Sequence, residues 1–314
     1  MTHFSQGCLR RPPFEAMSGL VWSTDGLDWP NRGASQFVEA AGIRWHVQRM
    51  GEGPALLLIH GTGAASHSWR DVMPLLAQQF TVIAPDLPGH AFTQVPATDR
   101  LSLPGMAADV AALLRKLDIR PRIIIGHSAG AAIAARMCLA GRVAPDVVIS
   151  LNGAFMPFGG AASHLFSPLA KLLVLNPLVP RVFAWQASHD GAVDRLIANT
   201  GSTLDARGCA LYGKLVRNPV HVGAALRMMA NWRLEPVLHD LPRLVPKLVL
   251  VTAAHDRSVS PAVARQVQEI LPSAVVEQLP GLGHLAHEEA PQRVVELLLR
   301  YARATSPHHV WPSV

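Results

Sequence analysis

Ser128 stands between two glycines in the segment Gly126-His127-Ser128-Ala129-Gly130. Three isoleucines precede this segment, and a run of small residues typical of a helix follows it. The pattern predicts a buried strand, a sharp turn that carries the serine, and a helix that begins at once, which is the context of a nucleophile elbow. Gly126 and Gly130 are expected there because a side chain at either position would collide with the tight turn.

A serine nucleophile requires a base, and the base requires a group that orients it. Asp256 follows a predicted strand that ends near Thr252, and His284 follows the last predicted strand in the frame Gly281-Leu282-Gly283-His284. Parallel strands place Ser128, Asp256 and His284 at one edge of the sheet. Ser128 is therefore the predicted nucleophile, Asp256 the acid and His284 the base.

Alternatives exist for both partners of the serine. His287 lies one helical turn from His284, but the Gly-x-Gly-His frame favours His284. Asp256 could instead cap the next helix or pair with Arg257. Asp86 precedes the nucleophile and is predicted to hold a turn, whereas Asn152, after the strand near Leu151, offers no carboxylate.

The oxyanion of an acyl-transfer reaction needs two backbone N–H donors, one after the nucleophile and one from the loop after the first parallel strand. These donors are predicted to be Ala129 and Thr62. His60 in the same loop is predicted to form a structural hydrogen bond, and His127 to pack beside the nucleophile.

The composition excludes several classes of protein. The 314 residues are 49% hydrophobic and 16% charged, with a net charge of +6 and no basic block typical of nucleic-acid binding. No apolar run is long enough to span a membrane, and no signal peptide is recognised. The three cysteines, Cys8, Cys138 and Cys209, have no metal-ligand spacing. We therefore expect a cytoplasmic protein without a metal or cofactor and without a nucleic-acid partner.

Apolar segments predict the elements that position these residues. A hairpin is expected around Ala41-Gly42, and further strands at 54–60, 80–84, 123–127, 146–151, 247–252 and 274–279. Helices are expected after Ser68, from about Pro104 and over 291–304, the first with Ser68 and Asp71 as a capping box. Alternating strands and helices predict a mostly parallel sheet covered on both faces.

The alternation stops between about Phe155 and Glu235, where prolines interrupt apolar segments. We predict an N-terminal extension (1–34), a core (35–154 and 236–305) and a helical cap (155–235) inserted after the sixth strand, over the strands' carboxyl ends. Residues 1–16 are expected to be dispensable, since Met17 offers a second start.

The chain resembles the α/β-hydrolase superfamily from about Leu20 to Arg300. More specific segments are Asp28-Trp29-Pro30-Asn31-Arg32, Trp45-His46-Val47-Gln48-Arg49-Met50-Gly51, Leu175-Asn176-Pro177-Leu178-Val179-Pro180-Arg181 and Met228-Met229-Ala230-Asn231-Trp232. In these segments the chain is similar to the magnesium-chelatase accessory proteins (BchO type) of anoxygenic phototrophic bacteria. One departure is Ala91, where the family pattern Pro-Gly-His-Gly has glycine.

The resemblance implies an α/β-hydrolase fold and a role beside magnesium insertion in bacteriochlorophyll synthesis, with the magnesium-chelatase subunits as candidate partners. The predicted triad implies hydrolysis of an ester, thioester or amide. Two other hypotheses stay open: a non-catalytic scaffold that binds a tetrapyrrole or the chelatase, and a general carboxylesterase. Asp replaces Ser as nucleophile in epoxide hydrolases and dehalogenases, so Ser128 disfavours those mechanisms.

The cap is rich in aromatic and basic residues, which would suit an apolar ester or a porphyrin with carboxylates. Candidate substrate-binding residues are Phe155, Trp185, Asn231 and Trp232. The alternative is that these apolar side chains form the core of the cap itself. Further aromatic and basic residues of this segment include Phe158, Phe166 and Lys171.

Overall fold

The computed structural model describes residues 19–156, 176 and 178–304. Residues 1–16 of the predicted extension, and Phe158, Phe166 and Lys171 of the predicted cap, lie outside the described residues. The boundaries predicted at 34, 154 and 235 stay a prediction.

A single eight-stranded sheet organises the described chain, in the order β1-β2-β4-β3-β5-β6-β7-β8. Strands β1 and β2 form an antiparallel hairpin and β2 pairs antiparallel with β4, whereas all other neighbours are parallel. The mostly parallel, doubly wound sheet predicted from the sequence is confirmed. The strands are β1 (Ser35–Ala40), β2 (Ile43–Met50), β3 (Ala55–Ile59), β4 (Thr81–Pro85), β5 (Ile123–His127), β6 (Val147–Leu151), β7 (Lys247–Ala253) and β8 (Val275–Leu279).

The central strands β3, β5 and β6 are mostly apolar and almost entirely buried, because both faces of the sheet are covered. On β3, Leu57 and Ile59 face one hydrophobic core, while Leu56 and Leu58 face the other. This alternation follows from the two-residue period of a strand. Each strand is thereby fixed in register, which in turn fixes where its carboxyl end lies.

Helices cover the two faces and build the cap. The core helices are α1 (Trp22–Asp25), α2 (Val72–Leu76), α3 (Leu103–Lys116), α4 (Ala129–Leu139), α10 (Ala262–Ile270), α11 (Ala286–Glu289) and α12 (Pro291–Ala304). Between β6 and β7 lie α5 (Leu178–Gln186), α6 (Ala192–Asn199), α7 (Ala206–Val216), α8 (Pro219–Ala230) and α9 (Glu235–Asp240). These helices follow the sixth strand, as the predicted insertion requires. None of the helices in the described ranges is both long enough and apolar enough to cross a bilayer.

The predicted capping box at the start of α2 is wrong. The Ser68 hydroxyl donates to Ala65 O at 3.0 Å within a preceding 3₁₀ turn, so it does not cap α2. Asp71 is the N-cap residue, but its carboxylate pairs with Arg70 Nε at 3.2 Å instead of the helix amides. The arginine is the stronger partner because it supplies a charged donor.

Residues 19–34 pack along the line where α7 meets the core. Trp29 is buried with Phe92, Leu211 and Leu215, and its indole N–H donates to Ser66 Oγ at 3.2 Å. Lys214 of α7 forms an ion pair with Asp28. This segment therefore joins the first strands of the core to the helices inserted after β6.

Candidate active site

Ser128 sits in the sharp turn between β5 and α4, with φ 51° and ψ −117°. This left-handed conformation is strained for a residue with a side chain. A Cβ atom on Gly126 would lie 2.5 Å from the backbone of Gly130 and Ala131, and one on Gly130 would lie 2.2 Å from Ile59 O. Both glycines are therefore required sterically, as the sequence predicts.

Two backbone hydrogen bonds hold Ser128 in this conformation. Its N–H donates to Leu151 O at 2.9 Å, and its carbonyl accepts from Ala154 N at 3.1 Å. Both partners belong to the end of β6 and the turn after it. The elbow is thus fixed against the neighbouring strand, and the serine lies at the N-terminus of α4, where the helix dipole favours negative charge.

His284 and Asp256 form a close pair. His284 Nδ1 lies 2.8 Å from Asp256 Oδ2, and both residues are buried to 8% exposure. Asp256 Oδ1 accepts from the backbone N–H groups of Ser258 and Val259 at 2.7 and 2.8 Å. The carboxylate therefore holds the turn with one oxygen and orients the imidazole with the other. In the tautomer whose Nδ1–H donates to Asp256, the lone pair on Nε2 of His284 can accept a proton.

The Ser128 hydroxyl makes no hydrogen bond to any of the residues that the structure describes. Catalytic hydrogen bonds are often long before substrate binds and shorten in the reacting complex. The structure thus brings Asp256 and His284 together at the sheet edge that carries Ser128.

His287, the competing base, lies in a different environment. Its ring packs 4.5 Å from that of His127 and 4.6 Å from that of Trp69, measured between centroids, and it is almost fully buried. Burial, with the nearby His284, lowers the pKa of His287 to about 3. His287 contacts no carboxylate closer than Glu288 Oε1 at 4.0 Å within the described chain. This surrounding favours a packing role.

Asn152 is a site residue that the sequence reasoning missed. It has φ 47°, and its Nδ2 donates to His284 O at 2.9 Å and to Gly283 O at 3.2 Å. Its Oδ1 accepts from Ala253 N at 2.7 Å. One amide therefore ties the end of β6 to the end of β7 and to the histidine loop. The sequence signal that could have identified Asn152 is its position directly after the predicted strand β6.

His127 reinforces the same loop. Its Nε2–H donates to His284 O at 2.9 Å, so the His284 carbonyl accepts from both His127 and Asn152. Burial lowers the pKa of His127 well below its usual value, which keeps the ring neutral. A Cβ atom on Gly61 would lie 3.0 Å from His127 Nδ1, so glycine at residue 61 leaves room for the close approach of the first loop.

The loop after β3 carries Thr62, one of the two predicted oxyanion donors. His60 fixes this loop, since its Nδ1–H donates to Gly61 O at 2.8 Å while its Nε2 accepts from Leu87 N at 2.8 Å. Neither Thr62 N–H nor Ala129 N–H donates to an acceptor in the described part of the chain. Their role as oxyanion donors stays a prediction.

Helix α8 holds this loop from the cap side. His221 Nε2–H donates to Gly63 O at 3.1 Å, and its Nδ1 accepts from Ala91 N at 3.0 Å. The Thr62 hydroxyl lies 3.7 Å from Met228 Sδ of the same helix. Ala91 has φ 42°, which explains why the family pattern has glycine there. Here the hydrogen bond that Ala91 N–H donates to His221 Nδ1 stabilises the alanine in that conformation.

Asp86 holds a turn, as predicted. Its carboxylate lies 2.7 Å from His46 Nδ1 and accepts from Ser66 N at 2.7 Å. Burial alone would raise the pKa of Asp86, but His46 and the hydrogen bonds outweigh it and lower the pKa. Asp86 therefore stays ionised as a structural group at the base of the loop.

The four predicted substrate-binding residues occupy different surroundings. Phe155 and Trp232 are buried in the core that α3 and α4 also line. Asn231 Nδ2 donates to Thr98 O at 3.3 Å, and Trp185 is 64% exposed on α5. Their binding of substrate stays a prediction. Over residues 19–156 and 178–304, no group of three His, Cys, Asp or Glu side chains could hold a metal ion.

Comparisons with known proteins agree with this architecture. The model of the alpha/beta hydrolase family matches residues 56–297. The chain is 38% identical over 275 residues to the magnesium-chelatase 30 kDa subunit of Rhodobacter capsulatus, covering 87% of this chain and 95% of that protein. Two solved structures share the fold. An alpha/beta hydrolase fold protein from Burkholderia ambifaria has TM-score 0.69 and 23% identity, covering 85% of this chain and 99% of that one. A thermophilic esterase from Thermogutta terrifontis has TM-score 0.67 and 21% identity, covering 86% of this chain and 98% of that one.

The family model covers well over half of the chain and includes the segments of Ser128, Asp256 and His284. The sheet order, the serine at the strand–helix turn and the helices inserted after β6 are all typical of that family. The chain therefore belongs to the alpha/beta hydrolase family.

Proposed function

We propose that this protein is a serine hydrolase that assists the magnesium-chelation step of bacteriochlorophyll synthesis. The observation that carries the catalytic part is the 2.8 Å contact between His284 Nδ1 and Asp256 Oδ2, at the sheet edge where the strained turn presents Ser128. The accessory role is supported by the 38% identity to a magnesium-chelatase subunit over nearly the whole of that protein.

In the proposed reaction, His284 Nε2 takes the proton of the Ser128 hydroxyl while Oγ attacks the carbonyl carbon of an ester, thioester or amide. The carbonyl oxygen becomes an oxyanion, and the N–H groups of Thr62 and Ala129 stabilise it. Protonated His284 then donates its proton to the leaving group. Water, activated by His284, hydrolyses the acyl-enzyme and restores Ser128. Asp256 stabilises the imidazolium and remains ionised throughout.

A fluorophosphonate probe tests the nucleophile directly. The probe should label the wild-type protein at Ser128, and labelling should be lost in Ser128→Ala. Ser260→Ala is the matched control, since Ser260 is an exposed serine at the start of the next core helix. Absence of wild-type labelling, or labelling that persists in Ser128→Ala, would refute the assignment.

A non-catalytic scaffold is the second candidate function. The name of the relative, a chelatase subunit, favours it. Magnesium insertion into protoporphyrin by purified chelatase subunits, with wild type or Ser128→Ala added, separates the two. Stimulation by wild type alone supports the hydrolase, and equal stimulation by both proteins supports the scaffold. Hydrolysis of simple esters without any effect on chelation would indicate a general carboxylesterase.

A further inference from the structure

Helix α5 (Leu178–Gln186) is apolar on two opposite sides. Pro180 and Ala184 are buried, and Pro180 packs against α8, where a Cβ atom on Gly223 would lie 3.3 Å from Pro180 Cγ. Leu178, Val182 and Trp185 follow one another at spacings of four and three residues, which places them on the opposite face. Their exposed fractions are 58%, 50% and 64%. The outer face of this helix is therefore an apolar stripe without a partner in the described chain.

Exposed apolar side chains are concentrated on this part of the molecule. In the described residues, five of the eight large apolar side chains that stand most open to solvent belong to α5 and α6, because Phe183 and Leu196 join the three above. The other three, Val21, Leu27 and Val245, are scattered, and such isolated cases are ordinary on protein surfaces. A cluster is different, since contiguous exposed apolar surface marks an interaction site.

The charge around the stripe is positive. Helix α5 contains Arg181 and no acidic residue, and Arg217 lies at its carboxyl end, where its Nε donates to Ala187 O at 3.1 Å. Residues 178–235 contain seven Lys and Arg against four Asp and Glu, and the whole chain has a net charge of +6. An apolar stripe flanked by arginine is complementary to a surface that has an apolar interior and an anionic outer layer.

We propose that α5 docks this protein onto an anionic lipid bilayer. Leu178, Val182 and Trp185 would enter the boundary between headgroups and acyl chains, and Arg181 would contact lipid phosphate. Nine residues of helix extend about 13 Å, enough to lie in the interface but far too short to span it. In this proposal Trp185 contacts lipid rather than substrate, which matches the preference of tryptophan for the interface.

A lipid surface fits these observations better than a protein partner. A protein partner would have to supply a groove for Leu178, Val182 and Trp185, whereas a lipid interface needs none, and the excess of Lys and Arg over 178–235 favours an anionic bilayer. A second copy of the chain would bring two arginine-flanked stripes together, which is unfavourable. Docking would also lie close to the candidate active site, because α5 packs on α8 and His221 of α8 bonds the loop of Thr62.

Vesicle co-sedimentation tests the proposal. Full-length protein should pellet with vesicles of equal parts phosphatidylglycerol and phosphatidylcholine, weakly with phosphatidylcholine alone, and less as salt concentration rises. The double variant Val182→Ser/Trp185→Ser should bind about tenfold more weakly, since it removes two apolar anchors. Arg181→Gln should reduce binding to the anionic vesicles only. Val245→Ser is the matched control, because Val245 is 94% exposed and lies before β7, away from α5.

Three results would overturn the proposal. The first is that the wild-type protein stays in the supernatant with anionic vesicles. The second is that the double variant binds the vesicles as well as Val245→Ser does. The third is that light scattering shows the wild-type protein to be a dimer and the double variant to be a monomer. Thermal unfolding checks that the double variant and Val245→Ser are folded. If the double variant is not folded, Leu178→Ser combined with Arg181→Gln replaces it. Ser128→Ala should bind vesicles as well as the wild-type protein does. A failure of vesicle binding therefore leaves the hydrolase proposal intact, and a failure of the hydrolase proposal leaves the docking proposal intact.

Discussion

At the scale of single residues, the surroundings of His284, the proposed base, differ from those of His287. His284 has a carboxylate on Nδ1 and is 8% exposed, whereas His287 is 1% exposed and packs between His127 and Trp69 without a close carboxylate in the described chain. We expect His284→Ala to abolish fluorophosphonate labelling at neutral pH, because Ser128 then lacks a base. His287→Ala should keep most of the labelling rate once loss of stability is allowed for by unfolding measurements. The reverse pattern, measured by labelling time courses, would transfer the role to His287.

A second prediction at this scale concerns Asn152. Replacement by Asp keeps the shape but removes the donor, so the carbonyls of Gly283 and His284 would face a carboxylate. We expect Asn152→Asp to lower the free energy of unfolding by about 1–3 kcal/mol, the range for an unsatisfied buried polar group. It should also slow labelling of Ser128, because the His284 carbonyl loses one of its two donors.

Denaturant unfolding and labelling rates measure these two effects. Asn199→Asp is the control, since Asn199 is exposed at the end of α6. An Asn152→Asp protein as stable as this control would show that the amide is not required.

The sequence was sufficient for the residue types at the site but not for the directions of their side chains. Ser128, Asp256 and His284 follow predicted strands in an interpretable order, so their common edge could be predicted. The hydrogen bonds of Asn152 could not, because its φ of 47° turns the amide toward the histidine loop, and no spacing pattern encodes that angle. His127 was predicted only to pack, and its bond to His284 O depends on the same loop geometry.

At the scale of elements, a buried carboxyl group joins α7 to the short helix that follows the histidine loop. Glu288 of α11 forms an ion pair with Arg70 and accepts from Tyr212 Oη of α7 at 2.8 Å. Arg70 also lies 3.8 Å from Asp205, the N-cap of α7. One carboxylate thus connects the inserted helices with the core beside the site.

This group predicts a pH dependence of stability. Burial raises the pKa of Glu288 from 4.5 to about 7, and the contacts with Arg70 and Tyr212 oppose this shift only in part. The folded state then holds a proton that the unfolded state releases between about pH 4.5 and 7, so the free energy of unfolding falls as the pH rises through that range. In Glu288→Gln this contribution should disappear.

The measurement is urea unfolding across that pH range. Glu296→Gln on α12 is the control, because Glu296 is exposed and should leave the wild-type slope unchanged. Identical slopes for wild type and Glu288→Gln would contradict the prediction.

Strands were easier to predict than helix ends. Continuous apolar runs identified β3, β5, β6 and β7, since only a doubly covered strand tolerates them. The predicted capping at the start of α2 was wrong because Ser68 and Asp71 bind other local partners instead of the helix amides. The arrangement of α5 to α9 could not be predicted, because their apolar faces have the same helical period whether they cover each other, the core or solvent.

At the scale of the whole molecule, the segment before β1 is part of the folded structure. Trp29 is 2% exposed and packs edge-on to Phe92, with ring centroids 4.9 Å apart. We expect Trp29→Ala to lower the free energy of unfolding by about 3–5 kcal/mol, as for other large-to-small changes in a core. Leu27→Ala, at an exposed position two residues earlier, should change it by less than about 0.5 kcal/mol. Chemical denaturation measures both.

Removal of residues 1–16 should behave differently. The sequence there has no periodic pattern, and Met17 offers a start, so the shortened protein is expected to keep nearly the wild-type melting temperature. A drop as large as that of Trp29→Ala, measured by thermal unfolding, would show that these residues contribute to the fold.

The insertion between β6 and β7 has a consequence for synthesis on the ribosome. In the finished sheet β6 is buried between β5 and β7, but β7 begins only at Lys247. At roughly 5–20 residues per second, translation of residues 152–246 takes on the order of 5–20 s. During that interval the completed part of the sheet ends in an apolar strand with one unpaired edge, which can recruit another nascent chain. Ser128 also stays without its proposed acid, Asp256, and its proposed base, His284, until the last segments of the chain have been translated.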